Sequence, residues 1–69
     1  MVKVFKTNID TTENARSVID QLLQIHPTGR ITLDIEDCDN VLRIETKQAT
    51  DSGIIEAVHS KGFECEVLP

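Results

Sequence analysis

The chain has no tryptophan, no tyrosine and only two phenylalanines among its 69 residues. A surface that stacks nucleic-acid bases needs aromatic platforms, and here they are all but missing. Three glycines, scattered singly, form no phosphate-cradling loop. Two cysteines, Cys38 and Cys65, cannot make the multi-bridge framework of a small secreted domain. No C-x-x-C or C-x-x-H spacing occurs, so two reduced thiols are expected. Basic residues are scarce as well, with seven Lys plus Arg against twelve Asp plus Glu, a net charge of −5. An acidic surface has no counterions to release from a phosphate backbone, which argues against nucleic acid or an anionic membrane as partner. No apolar run approaches the roughly 18 residues of a membrane span. The start, MVKVFK, lacks the apolar stretch of a secretory signal, and a cytoplasmic location is expected.

What is present is an ordinary globular composition, 39% apolar and 28% charged. A chain of this length buries only about 60% of its unfolded surface, enough for one small core. A single domain over residues 1–69 is therefore expected. Met1 to Thr7 alternates as a strand, with Val2 and Val4 on one side and Lys3, Phe5 and Thr7 on the other. Asn8 to Asn14 is loop and helix start. Asp10 with Glu13 fits a capping box, and Thr11 or Thr12 are alternative caps. Ala15, Val18, Ile19, Leu22, Leu23 and His26 recur at helical spacing until Pro27 and Gly29 stop them.

Arg30 to Asp37 alternates again, with Ile31, Leu33 and Ile35 on one side. Asp37-Cys38-Asp39-Asn40 is turn chemistry, and Val41 to Lys47 returns as a third strand with Leu42 and Ile44 inward. Thr50-Asp51-Ser52 caps a second helix carrying Ile54, Ile55 and Val58, and Gly62 suits its C′ position. Phe63, Cys65 and Val67 alternate in a last strand. The order βαββαβ implies an α+β, ferredoxin-like sandwich: a four-stranded antiparallel sheet, order 4-1-3-2, with two helices on one face. The other face is expected to carry Lys3, Phe5, Thr32, Asp34, Glu36, Val41, Arg43, Glu45, Glu64 and Glu66.

The stretches Ile9 to Leu22 and Ile54 to Leu68 resemble the heavy-metal-associated (HMA) domain of copper chaperones and metal-transporting ATPases. In that family a strand runs into M-x-C-x-x-C, and Val and Leu follow four and eight residues past the second Cys. Val18 and Leu22 match this frame, and Gly62-Phe63 matches the family's second signature. On the same frame Ile9 takes the Met position, while Thr11 and Asn14 take the two Cys positions. Soft ions prefer thiolate sulfur. A hydroxyl and an amide are hard, neutral and weak donors, so no ligand is transferred to Thr11 or Asn14 and no cofactor is expected.

A substitute metal site is the alternative. The topology brings Asp10, Glu13, Asp37, Cys38, Asp39, Asn40, His59 and Lys61 to one end of the sheet. There Cys38 with Asp37 and Asp39, alone or completed by a second protomer, is a candidate for a weakly held divalent ion or Cu(I). Cys65 has core parity, and His26 suits a helix C-terminal cap. Catalysis is not expected, because no nucleophile–base pair is visible and the two histidines fall at opposite ends. The Gly- and Arg-bearing loop of acylphosphatases has no counterpart in NIDTTEN, and RNA-recognition motifs need aromatics and a basic rim that are missing. The leading expectation is a non-catalytic module binding another protein through Phe5, Asp34, Glu36, Arg43, Glu64 and Glu66. Edge-strand pairing is its route to a homodimer.

Overall fold

The computed structural model describes residues 2–68. Among these residues six elements follow one another as β1 (Val2–Thr7), α1 (Thr12–Ile25), β2 (Arg30–Asp34), β3 (Val41–Glu45), α2 (Asp51–Ser60) and β4 (Cys65–Val67). The strands form one sheet of order β2-β3-β1-β4 in which every neighbouring pair is antiparallel. This is the ferredoxin-like arrangement, with α1 against β2 and α2 against β4. No helix among the described residues is long and apolar enough to cross a membrane.

Each helix starts on a threonine. Thr11 is extended, and its hydroxyl accepts the Asn14 backbone N–H at 3.1 Å; Thr50 does the same for Gly53 at 3.1 Å. The expected Asp10 box is displaced by one residue, because the third N–H beyond the cap is that of Asn14 rather than Glu13. α1 consequently begins at Thr12, a turn earlier than its apolar stripe. His26 caps its far end, donating its backbone N–H to the Leu22 carbonyl. Gly62 stands at φ 89 just past α2, a conformation that a side chain would strain.

The core consists of Phe5, Ile9, Ala15, Val18, Leu22, Leu42, Ile44, Ile54, Ala57, Val58 and Cys65. Its composition corrects the expected parity of β1. Phe5 and Ile9 are fully buried and Thr7 nearly so, whereas Val2 is 53% exposed. Both faces of β1 hold apolar side chains, so alternation alone does not orient it. A phenyl ring removes far more surface from water than a valine does, and Phe5, facing Leu42 and Val67 across the sheet, takes the inner side. Lys3 turns with it and pairs with Asp51 at the start of α2, Nζ to Oδ1 2.8 Å, instead of joining a charge pair on the open face.

Candidate interaction surface

Register places three cross-strand rows on the open face. Arg30, Glu45 and Val2 form the first; Thr32, Arg43 and Val4 the second; Asp34, Val41, Lys6 and Glu66 the third. Leu68 donates its backbone N–H to the Val4 carbonyl and prolongs the middle row. The face therefore mixes three valines of the two central strands, Val2, Val4 and Val41, with three cations and three anions. It is charge-balanced, not acidic. Of the residues expected to make contacts, Asp34, Arg43 and Glu66 lie on this face and are exposed. Phe5 is in the core and, contrary to expectation, offers no contact on this face. Glu36 and Glu64 are exposed but lie in the loops beyond β2 and before β4. Val2, Val4 and Lys6 belong to the surface and were hidden by the parity of β1. Their signal was Ile9, which keeps step with Phe5 and Thr7 and carries the inward series into the next loop.

At the sheet end beyond β1, three loops meet. The Thr7 hydroxyl donates to the Asn40 carbonyl at 2.7 Å and accepts the Ile9 N–H at 3.2 Å. Asn40, at φ 46, donates its side-chain amide to the Ile9 carbonyl at 2.6 Å. Asn8 accepts the Glu64 N–H at 2.8 Å, which ties in the loop after α2. The β2–β3 loop is wound by its own carboxylates. Asp34 accepts the N–H groups of Glu36 and Asp37, and Asp37 accepts that of Asp39.

Among the described residues, the side chains grouped closely enough to hold a metal ion are Asp37, Cys38 and Asp39, with donor atoms within 4.8 Å of one another. Asp10, Glu13 and His59, expected at the same end, are exposed and lie outside this group. His59 instead borders a shallow hollow with Lys6, Thr7, Asn8, Glu64 and Cys65. Asp39 faces Lys6 at 3.9 Å, and Asp37 is already engaged in the loop. Cys38 is exposed, Cys65 buried, and both are free thiols. Burial, helped by neighbouring Glu66, pushes the Cys65 thiol up from 9.0 to about 11, so that it stays protonated and unreactive at neutral pH.

A third feature is a groove of about 550 Å³ between α1 and the outer edge of β2. Ala15, Ile19, Leu33 and Ile35 floor it, and Arg16, Asp20, Asp34 and Glu36 stand on its rim. No family model matches the chain, and no curated protein matches it either.

Proposed function

We propose that this is a non-catalytic protein-binding module, an HMA-like domain in which the metal-binding loop serves as a helix cap. The observation that supports it is the Thr11–Asn14 hydrogen bond of 3.1 Å. The two positions that carry thiolates in the family are spent on starting α1, one as acceptor through its side chain and one as donor through its backbone. The balanced open face, with valines and both signs of charge interspersed on it, suits a protein surface better than a polyanion. Arg43 and Lys6 would select acidic side chains on the partner, and Glu66 and Asp34 basic ones.

A second reading rests on the close approach of Asp37, Cys38 and Asp39. One thiol and two solvated carboxylates would hold a transition-metal ion weakly, in the manner of a metal-handling protein. One experiment separates the two. Native mass spectrometry is run on reduced protein titrated with Cu(I) and Zn(II) against a mild chelator, with Cys38→Ser in parallel. The wild type is expected to stay apo, and the T11C/N14C double variant to hold one Cu(I) per chain. A wild-type ion that disappears in Cys38→Ser would overturn the proposal in favour of metal handling. Failure of the double variant to take Cu(I) would remove the HMA frame itself.

A further inference from the structure

We propose that two copies of this chain join through the outer edges of their β2 strands, antiparallel about Thr32, into one eight-stranded sheet. An edge strand presents unpaired backbone N–H and C=O groups, and natural proteins blunt such edges with proline, inward charge or extreme shortness. β2 has five residues, Arg-Ile-Thr-Leu-Asp, with neither proline nor an inward charge. Its sequence is also complementary to itself when reversed. With the dyad at Thr32, Arg30 lies opposite Asp34 of the partner subunit, Ile31 opposite Leu33 of the partner subunit, and each relation occurs twice.

The two faces of the strand then have separate roles. Arg30, Thr32 and Asp34 are exposed on the open face, where opposite charges placed directly across from each other are favourable. Ile31 and Leu33 are half-buried on the helix side, where they already pack against the core. Leu33 also floors the groove, with Ala15, Ile19 and Ile35. In this pairing Leu33 meets Ile31 of the partner subunit, so the second copy borders the groove with the opposite end of its own β2, and its α1 would run antiparallel to the first.

Alternative pairings are worse on the same grounds. Parallel association would set Arg30 beside Arg30 of the partner subunit, and likewise for Asp34. A shift by two residues leaves at least one charge of each strand unmatched. The other edge, β4, is three residues long, and pairing it with itself about Glu66 would oppose two carboxylates. The antiparallel dyad also sends the two Cys38 loops to opposite ends of the joined strands. This dimer therefore cannot assemble a shared thiolate site, and its test is independent of metal.

The test is sedimentation velocity over a concentration series, combined with amide hydrogen exchange on the full chain. A species of twice the 7.7 kDa chain mass should grow with concentration. Exchange of the Arg30–Asp34 amides should slow in step with it, while that of the Cys65–Val67 amides stays constant. Arg30→Glu places like charges at both ends of the seam and should weaken association at least about tenfold, roughly 1.4 kcal/mol. Glu66→Arg on the other edge should leave it unchanged. A monomer at every concentration would overturn the proposal. So would a dimer indifferent to Arg30→Glu, or one whose protected amides lie outside β2. If Arg30→Glu does not fold, the exchange pattern of the wild type decides alone.

Discussion

Asn40 is the residue on which the loop end of the fold most depends, and its replacement separates two physical contributions. Its backbone sits at φ 46, where an asparagine is tolerated and an alanine strained by about 1 kcal/mol. Its side-chain amide donates to the Ile9 carbonyl at 2.6 Å, and its own carbonyl accepts the hydroxyl of buried Thr7 at 2.7 Å. Asn40→Gly keeps the backbone geometry and removes only the side-chain bond. Leaving a part-buried carbonyl unpaired makes that loss about 2 kcal/mol. Asn40→Ala adds the backbone strain and should cost about 3 kcal/mol. At about 0.05–0.15 kcal/mol per residue, a domain of this size has a total stability of only about 3–10 kcal/mol. The alanine variant would therefore forfeit about 30% or more of it. Urea unfolding followed by circular dichroism gives both values, provided the slope with denaturant is unchanged. An alanine variant as stable as the glycine variant would refute the backbone argument. Two variants as stable as the wild type would refute the hydrogen bond as well.

Phe5→Ala should lose about 3–5 kcal/mol and leave the domain marginal or unfolded, whereas Val4→Ala on the open face should cost less than about 1 kcal/mol; thermal melts that rank the two the other way would restore the outward orientation of Phe5. The Cys65 thiol has its pKa raised on folding, so the unfolded chain ionises first. The stability contributed by its burial is fully present below pH 9.0 and is lost as pH rises towards about 11. Urea midpoints between pH 8 and 11 should fall in the wild type and fall less in Cys65→Ala. An aromatic disulfide reagent at neutral pH should label Cys38 at once, and Cys65 only as fast as the domain opens.

The order of elements and the strand order were legible because nearly every local signal agreed with the fold. Ala15, Val18 and Leu22 kept helical spacing and are buried; Leu42 and Ile44 alternated inward and are buried; Gly62 stood where positive φ was needed. The parity of β1 is ambiguous because its even positions include two valines, Val2 and Val4, whereas its odd positions include a lysine and a threonine. Counting apolar residues by parity then favours the wrong side. Size settles the question in the structure, and Lys3 reaches Asp51 from the inner edge without burying its charge. The meeting of three loops at one end followed from topology. The bonds that lock it, from Thr7 and Asn40, depend on a left-handed residue and a buried hydroxyl that no spacing rule marks. The open face was legible only in part. Asp34, Arg43 and Glu66 were placed correctly by alternation in β2, β3 and β4, but every residue that β1 adds to it followed the mistaken parity.

The inward turn of Phe5 and Lys3 also decides where the net charge lies. With Arg30, Arg43 and Lys6 balanced on the open face by Asp34, Glu45 and Glu66, none of the net −5 resides there. Lys3, Arg16 and Lys47 likewise offset Asp20, Asp51 and Glu56. What is left is Asp10, Glu13, Glu36, Asp37, Asp39 and Glu64 against Lys61 alone, all in the loops and helix ends around the same end of the sheet. The molecule is therefore a neutral body with one acidic pole. Association through a neutral β2 edge meets no opposition from the net charge. In the antiparallel arrangement the two poles are held apart by the length of a five-residue strand, about 17 Å, roughly two Debye lengths at physiological salt. Any arrangement bringing the Cys38 loops together would instead oppose both poles, and self-repulsion would weaken it most at low salt. Raising the salt should accordingly loosen a β2-paired dimer, by screening its Arg30–Asp34 contacts, and tighten a pole-to-pole one. A dissociation constant measured at two ionic strengths discriminates between them by sign alone.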